Sequence, residues 1–441
     1  MLLNTNSVRH VSLVARMLAA PALLLASPAA AQDSEAVTAL THEQTAIEAR
    51  ADQVVAVVNG ELAPEEVFTD GFLAAVPPAQ LAEISRQLTG QFGAALTVES
   101  LDPAAGTRAG LAIRMERAIA RGGIAIDPDD DNRISELLFQ TFDPIDDTPA
   151  KIETDLAALP GEVSYFFGPL GGSDPVLARA VDAQMALGST FKLYVLAALA
   201  SEIADGKRSW NDVVTLNTRS FPSGMMQDWP ENAPVTLHTL ASLMISISDN
   251  TATDQLIRLL GRDAVLQVMI DSGHSQPALN NPFLTTRELF LLKGGADGLA
   301  PAYSAGDTAT RLGILGELER NPASLAQINA VFANGPVNID VEWFASAADL
   351  MGLFAFMQEN ADARAFEVMA INPSMPGNIR ENWAYAGFKG GSEPGVLNLT
   401  WLLKDHEGRD HALVLSWNNP QASLDQTALE LIGQRILSLS H

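Results

Sequence analysis

Residues 187–200 read LGSTFKLYVLAALA, a segment that is apolar on nearly every face of a helix and is therefore predicted to lie inside a core. Ser189 and Lys192 are its polar exceptions, and their i, i+3 spacing places the hydroxyl and the amine on the same face. A buried lysine must be paired or neutral, because loss of water disfavours the ammonium. A neutral amine beside a serine hydroxyl is a general base beside a nucleophile. The pattern alone is short and common, so the alternative is that Ser189 caps the helix and Lys192 reaches the surface.

The composition is that of a globular chain that can bury a large core. The 441 residues are enough for two or three domains, with 47% hydrophobic and 18% charged residues. The net charge of -26 argues against nucleic acid and anionic membrane surfaces as partners, because both require clustered Lys and Arg. The chain has no cysteine, which excludes disulfides, thiol catalysis and a lipid-modified N-terminal cysteine.

The N-terminus, residues 1–31, is predicted to be a cleaved Sec-type signal peptide. Basic residues precede an apolar run from Met17 to Ala26, and the small residues before Gln32 fit a signal peptidase. A retained membrane anchor is the weaker interpretation, because the run is shorter than the roughly 20 residues that a span needs. Export without cysteine suits a bacterial periplasm, so we expect a periplasmic or secreted protein with no membrane anchor after cleavage.

A small α+β domain is predicted over residues 54–142, after an N-terminal segment at 32–53. Two amphipathic helices, at 64–75 and 79–92, precede four strand-like runs at 95–101, 107–115, 117–126 and 134–142. Helices followed by an antiparallel meander indicate a cone-shaped module. The module contains no catalytic pattern, and its acidic run at 127–131 is interpreted as a turn rather than a Ca²⁺ loop.

A second, larger α+β domain is predicted over residues 160–441, after a Pro- and Asp-containing linker at 143–159. Strands at 161–170 and 175–182 form a hairpin, and strands at 385–391, 396–404 and 411–417 precede a terminal helix at 423–439. A long helical region lies between the two groups of strands. The arrangement predicts a five-stranded antiparallel sheet flanked by helices, with a helical lobe.

Two further polar sites stand where a serine active site would need them. Ser248-Asp249-Asn250 lies between two predicted helices and, taken alone, is an ordinary helix cap. Lys389-Gly390-Gly391-Ser392 lies on a predicted strand and, taken alone, is equally a solvated lysine beside a flexible turn. Together with Ser189 and Lys192 they match the order S-x-x-K, S-D-N, K-T-G of class A β-lactamases and penicillin-binding proteins.

On these three motifs, residues 160–441 resemble the penicillin-recognising serine hydrolases, and most of all the class A β-lactamase branch. That family has the sheet and helical lobe predicted above. The N-terminal unit is similar to the steroid-isomerase-like, or nuclear-transport-factor-like, module of the β-lactamase-like proteins of clavulanic acid biosynthesis. The strings YAGFK at 385–389 and VEWFAS at 341–346 add to this second resemblance.

The resemblance implies a catalytic role for four residues. Ser189 would attack a carbonyl and become acylated, while Lys192 takes its proton. Ser248 would relay a proton to the leaving nitrogen, and Lys389 would lend positive potential to Ser248 and to a substrate carboxylate.

The resemblance also implies a substrate-binding set. Asn250 would hold Lys192 and the substrate amide, and the backbone N–H groups of Ser189 and Ser392 would bind the oxyanion. Gly390, Gly391 and Tyr385 would complete the strand side of this set.

Two departures from the family pattern affect the expected chemistry. No E-x-x-L-N motif, which carries the family's water-activating Glu, lies between Asn250 and Lys389. Glu288 is the only carboxylate at residues 273–289; it is a possible deacylation base, or else part of a cap on the helix at 286–293. Gly390 also lacks the hydroxyl that many relatives offer to a substrate carboxylate. Deacylation is therefore expected to be slow, and an ester or another acyl group is a possible substrate.

Three functions remain open at this point: a β-lactamase, an esterase or DD-peptidase that uses the same site, and an acylation-only penicillin-binding protein. The expected partner is a small β-lactam or acyl ester, and no cofactor is expected. The seven His residues show no H-E-x-x-H spacing, which disfavours a metal enzyme. No G-x-S-x-G elbow surrounds Ser189, which disfavours a Ser-His-Asp triad.

Overall fold

The computed structural model describes residues 33–145, 147–172, 174–294, 299–320 and 325–439. The predicted signal peptide at residues 1–31 lies outside this range. The described chain forms two compact units, one that ends at Thr148 and one that runs from Pro149 to Ile436. None of the helices in these ranges has the length and apolar character needed to cross a membrane.

The N-terminal unit combines three α-helices with a four-stranded antiparallel sheet. Its elements are α1 (Asp33–Val58), α2 (Asp70–Ala75), α3 (Pro78–Phe92), β1 (Ala95–Ala105), β2 (Arg108–Met115), β3 (Ala118–Asp127) and β4 (Arg133–Pro144). The strands follow one another across the sheet in the order β1-β2-β3-β4. The four predicted strands are confirmed. The helix predicted at 64–75 is divided into a 3₁₀ turn, Pro64–Glu66, and α2, and α1 continues through the predicted boundary at Val54.

A groove of about 520 Å³ lies between the end of α1 and α3 of this unit, and its polar lining is Asn59, Glu61, Ser85, Arg86 and Thr89. Helix α1 also buries an apolar stripe. Ile47, Ala51 and Val54 lie one turn apart on α1 and are all buried.

The C-terminal unit is built on a five-stranded antiparallel sheet, as predicted. Its strands are β5 (Glu162–Pro169), β6 (Leu177–Arg179), β11 (Tyr385–Glu393), β12 (Val396–Lys404) and β13 (Asp410–Asn418). Their order across the sheet is β11-β12-β13-β5-β6. Two short pairs accompany the sheet: β7 (Met185–Ala186) with β10 (Phe344–Ala345), and β8 (Val213–Thr215) with β9 (Pro234–Thr236). Because β13 pairs with β5, the last strand meets the first one in the middle of the sheet.

Helices flank the sheet: one precedes the first group of strands, one follows the last group, and the others lie between the two groups. They are α4 (Pro149–Ala158), α5 (Lys192–Ala204), α6 (Leu237–Ser246), α7 (Asn250–Leu260), α8 (Arg262–Asp271), α9 (Thr286–Gly294), α10 (Leu299–Ala305), α11 (Thr308–Arg320), α12 (Leu325–Phe332), α13 (Ala347–Asn360), α14 (Arg364–Met369), α15 (Gly377–Arg380) and α16 (Gln426–Leu437). This is the β-lactamase/transpeptidase-like α+β architecture that the sequence predicts.

The central helix α5 is buried along its whole first nine residues, from Lys192 to Ala200. A 3₁₀ turn, Gly188–Phe191, precedes it, and no side-chain cap bond closes the start of that turn. Lys192 is 0% exposed. The alternative interpretation, a capping Ser189 with a surface lysine, is therefore wrong.

The segment predicted as a linker, residues 143–159, is mostly regular structure. Its start belongs to the end of β4, and residues 149–158 form α4. Ile152 and Leu156, one turn apart on α4, are fully buried, and Asp155 forms an ion pair with Arg435 of α16 at 2.6 Å. The Pro and Asp residues do mark a turn. The residues after them form a helix of the C-terminal unit, because the apolar pair Ile152 and Leu156 lies on one face and is buried there.

Candidate active site

Ser189 lies in the 3₁₀ turn that leads into α5, and it is half-buried between the fully buried Gly188 and Thr190. Aromatic packing and a backbone hydrogen bond hold this turn in place. Phe191 stacks on Trp343 with ring centroids 3.6 Å apart, and the Leu187 N–H donates to the Trp343 carbonyl at 3.0 Å. A reachable hydroxyl on an otherwise rigid, buried element suits a nucleophile.

Lys192, one turn later, points its amine at three oxygen atoms. Its Nζ lies 2.7 Å from the Ser248 carbonyl, 3.0 Å from Ser248 Oγ and 2.7 Å from Asn250 Oδ1. Burial, together with the nearby charge of Lys389, lowers the Lys192 pKa well below its ordinary value. A neutral amine donates its two N–H groups to the carbonyl-type oxygens and accepts from the Ser248 hydroxyl, so all three contacts remain satisfied.

The Ser248-Asp249-Asn250 segment joins α6 to α7. Asp249 caps α7, while Ser248 and Asn250 contact Lys192. Asp249 caps α7 by accepting from the Ala252 N–H at 2.8 Å, and its other oxygen accepts from the Met225 and Met226 N–H groups. The cap interpretation is thus correct for Asp249. Ser248 has a positive φ of 59°, which costs a non-glycine residue on the order of 1 kcal/mol. That conformation turns both its carbonyl and its hydroxyl towards Lys192.

Lys389, on β11, approaches the same hydroxyl from the other side. Its Nζ lies 3.2 Å from Ser248 Oγ and 2.5 Å from the Gly390 carbonyl. Lys389 is buried, which excludes the interpretation as a solvated lysine, and burial lowers its pKa to about 7. Lys389, Ser248 and Lys192 therefore form a continuous hydrogen-bonded chain.

Glycines let β11 pass directly against the turn that carries Ser189. A Cβ at Gly391 would lie 2.4 Å from the Ser189 backbone nitrogen, and a Cβ at Gly188 would lie 2.9 Å from the Ser392 nitrogen. No side chain fits between these backbones, and Gly188 also has a positive φ of 52°. A Cβ at Gly390 would instead meet the ring of Phe388 at 2.8 Å.

Two predicted site residues have other contacts. The Tyr385 hydroxyl donates to the Phe366 carbonyl of α14 at 2.8 Å, and burial raises its pKa. Glu288 accepts from Arg262 at 2.8 Å and from the Thr285 N–H at 2.8 Å, while its own N–H donates to Thr285 Oγ1. This reciprocal pattern is a capping box at the start of α9. The structure thus places Glu288 in the cap, which was the other interpretation of this residue.

One buried carboxylate near the motifs escaped the sequence analysis. Asp254 accepts from Ser220 Oγ at 2.6 Å, from the Thr286 N–H at 2.7 Å and from the Arg287 N–H at 3.0 Å. Burial raises its pKa, although these hydrogen bonds oppose the shift. It ties the start of α9 to α7. Its position four residues after Asn250, on the same face of α7, is the sequence signal that could have indicated this buried carboxylate.

The described part of the chain contains no group of three His, Asp or Glu side chains that could hold a metal ion. The polar atoms that meet at Lys192 and Ser248 are two amines, a hydroxyl and an amide oxygen. Such a set can move a proton and stabilise developing negative charge without a cofactor.

Comparison with solved structures finds relatives at low identity. The chain is similar to a beta-lactamase from Sphaerobacter thermophilus, with 21% identity, a TM-score of 0.46, and coverage of 66% of this chain and 94% of that one. PBP-A shares 15% identity at a TM-score of 0.45, with coverage of 66% and 93%. A putative class A beta-lactamase from Rhodopseudomonas palustris shares 12% identity at 0.47, with coverage of 66% and 97%.

No curated protein matches the sequence. A family model does: the model described as the beta-lactamase enzyme family matches residues 148–435. The matched range contains Ser189, Lys192, Ser248 and Lys389. Because it spans well over half of the chain, this protein belongs to the beta-lactamase enzyme family.

Proposed function

We propose that this chain is an exported serine hydrolase that opens β-lactam rings through an acyl-enzyme at Ser189. The observation that carries the proposal is the chain of contacts from Lys389 through Ser248 Oγ to Lys192. A buried amine with a lowered pKa stands one helical turn from a reachable serine, which is the arrangement a general base needs.

In the proposed reaction the Ser189 oxygen attacks the lactam carbonyl while Lys192 accepts the hydroxyl proton. The negative charge that develops on the carbonyl oxygen lies between the Ser189 and Ser392 N–H groups. The C–N bond then breaks, and the proton passes from Lys192 through Ser248 to the departing nitrogen. The product of this half-reaction is an ester of Ser189, with the ring opened and no net change in protons.

In its protonated form Lys389 supplies the positive charge for a substrate carboxylate in this scheme, and with a pKa of about 7 that form predominates below neutral pH. Its side chain has no hydroxyl neighbour at position 390, so the carboxylate would contact the ammonium and Ser248. Asn250 holds Lys192 through its side-chain oxygen at 2.7 Å. Its amide N–H₂ contacts the Phe221 carbonyl at 3.2 Å, which fixes the amide orientation.

The contacts of Glu288 favour slow deacylation. Water attack on the ester needs a base, and the Glu288 carboxylate is already held by Arg262 and by the cap of α9. This observation supports a second candidate, an acylation-only penicillin-binding protein. An esterase or DD-peptidase activity at the same site is the related possibility, because Gly390 does not require a carboxylate on the substrate.

The test is intact-protein mass spectrometry over time, with the mature chain mixed with a chromogenic cephalosporin. A Ser189→Ala variant is the matched control. An adduct that decays while product accumulates supports a β-lactamase, and an adduct that persists supports the acylation-only protein. No adduct, or an adduct that survives Ser189→Ala, would refute Ser189 as the nucleophile.

We propose further that the chain is exported by cleavage after Ala31 and acts in the periplasm or outside the cell. N-terminal sequencing of the protein from a periplasmic extract tests this, and a retained Met1 contradicts it. The N-terminal unit is proposed to be a steroid-isomerase-like module, and the helix-then-meander order of α2, α3 and β1 to β4 supports that assignment.

A further inference from the structure

A buried charge cluster lies next to the proposed site and takes no part in the proposed reaction. Lys293, at the end of α9, contacts Glu342 Oε1 at 2.9 Å and also contacts Glu393 Oε1. The three side chains are only 0%, 1% and 7% exposed, respectively. Buried charges of this kind are expensive unless paired, so the three groups are tightly held by one another.

One arm of the cluster leads to the turn that carries Ser189. Glu342 immediately precedes Trp343, and its second oxygen accepts from the Trp343 N–H at 3.1 Å. The Trp343 ring stacks on Phe191, and the Trp343 carbonyl accepts from the Leu187 N–H. Glu342 therefore anchors the residue against which the nucleophile turn packs.

The other arm leads to the strand that passes this turn. Glu393 ends β11 and directly follows Ser392, whose N–H is the second proposed oxyanion donor. The strand runs so close to Gly188 that a Cβ there would be 2.9 Å from the Ser392 nitrogen. A displacement of Glu393 is thus transmitted to Ser392 across one peptide unit.

Resting on the function proposed above, we propose that Lys293, Glu342 and Glu393 are positioning residues that hold the two oxyanion donors at a fixed separation. Lys293 links Glu342, which anchors the turn that carries the Ser189 N–H, to Glu393, which follows the Ser392 N–H on β11. Oxyanion stabilisation depends on donors that are fixed before the charge develops, so loosening this link should slow acylation more than it weakens substrate binding.

Charge pairing within the cluster separates the two variants that test it. Burial, with the nearby charge of Glu342, raises the Glu393 pKa, while Lys293 opposes the shift. The Lys293 pKa is raised, because the two carboxylates outweigh its burial. Glu393→Gln keeps the volume and one oxygen atom of the side chain without its charge, whereas Lys293→Met removes the central cation and leaves both buried carboxyl groups without it.

The experiment measures the acylation rate constant and the non-covalent Kd separately, by stopped-flow with a reporter penicillin, and also the affinity for a tetrahedral boronic acid. In Lys293→Met the acylation rate should fall about 10- to 100-fold, the Kd should change less than about threefold, and boronate affinity should fall in parallel with the rate. Arg435→Met is the matched control, because it removes a buried paired cation from α16. It should lower Tm without lowering the acylation rate.

Glu393→Gln provides a second measurement that keeps side-chain volume. Gln still offers an oxygen to Lys293 but removes the negative charge from the ion pair. Its acylation rate should therefore fall, but by less than that of Lys293→Met, while the Kd changes less than about threefold.

The outcomes separate this inference from the proposed function. An unimpaired acylation rate in Lys293→Met, a loss matched by Arg435→Met, or a larger loss of rate in Glu393→Gln than in Lys293→Met would overturn the positioning role alone. Failure of the wild type to form an adduct at Ser189 with either the penicillin or the boronic acid would refute the proposed function, and the positioning role with it.

Discussion

A single methyl group added at Gly391 should push β11 away from the turn that carries Ser189. In Gly391→Ala the new Cβ would lie 2.1 Å from the Leu187 carbonyl oxygen, 2.4 Å from the Ser189 nitrogen and 2.6 Å from the Thr190 nitrogen. All three atoms are backbone, so none can rotate away. Ordinary contact begins at 3.4 Å, and β11 must therefore move from the nucleophile turn by about 1 Å.

The size of that shift sets the expected effect. A misplacement of about 1 Å at a reacting centre costs roughly 100-fold in rate. Overpacking of this kind lowers the free energy of unfolding by about 1 to 3 kcal/mol. We therefore expect Gly391→Ala to fold with a lower stability and to acylate about 100-fold more slowly than wild type.

Two other glycines give matched controls. Gly316, on α11, has nothing within 4 Å of its Cβ position, so Gly316→Ala should leave the rate unchanged and stabilise the helix by about 0.5 to 1 kcal/mol. In Gly390→Ala the Cβ meets a side chain, the Phe388 ring, which can adjust, so its rate loss should be smaller than that of Gly391→Ala.

The assay combines acylation by a fluorescent penicillin, followed by intact mass, with urea unfolding of each variant. Gly391→Ala acylating at the wild-type rate would refute the argument that the contact between β11 and the turn at Ser189 sets the reaction geometry. A loss in Gly316→Ala as large as that in Gly391→Ala would refute it as well, because that methyl group meets no neighbour.

Three other side chains carry predictions that the same purified protein can test. Burial lowers the Lys389 pKa from 10.5 to about 7, so the unfolded chain binds more protons between these values and stability rises with pH there. The slope from this group is at most about 1.4 kcal/mol per pH unit, and Lys389→Met should remove it in urea titrations across that range. Glu288→Gln should change the acylation rate and the adduct lifetime by no more than roughly twofold, because Arg262 and the cap of α9 already hold the carboxylate. The same variant should lower the free energy of unfolding by about 1 kcal/mol. A much longer-lived adduct would identify Glu288 as the water-activating base. Asn250→Ala removes one of the contacts of Lys192 and should slow acylation about 100-fold in the mass assay, whereas an unchanged rate would show that the amine is oriented without it.

The strands and the principal helices could be predicted from local patterns. The runs at 95–101 and 396–404 are rich in apolar and β-branched residues interleaved with polar ones, and both lie within strands of the structure. The burial of α5 followed from its composition alone. The division between the two units does lie inside the predicted segment 143–159, between Thr148 and Pro149. The interpretation of that segment as an irregular linker was wrong, because Pro and Asp signal a turn strongly, while the apolar pair Ile152 and Leu156 is a weaker signal that acts only through packing.

The polar partners in the site were less predictable. Glu288 qualified as a base by being the only carboxylate in its region, but the contacts that hold it come from Thr285 nearby and from Arg262 far away in the chain. Tyr385 was included for its place on the strand, and its hydroxyl bonds to α14 instead. The Thr285 contact has a sequence signature, the capping box, but the contacts with Arg262 and with the Phe366 carbonyl have none, because each depends on which helix packs against which.

The sequence by itself determined the α+β class, the apolar central helix, and the order of the three motifs that carry Ser189, Ser248 and Lys389. Those properties are local, since periodicity, turn residues and spacing along a helix act within a few residues. The tertiary structure alone decided the protonation preference of Lys192, the hydrogen-bonded chain to Lys389, and the buried cluster around Lys293. Desolvation and charge pairing are properties of groups brought together from distant parts of the chain, and they exist only once the core around them has formed.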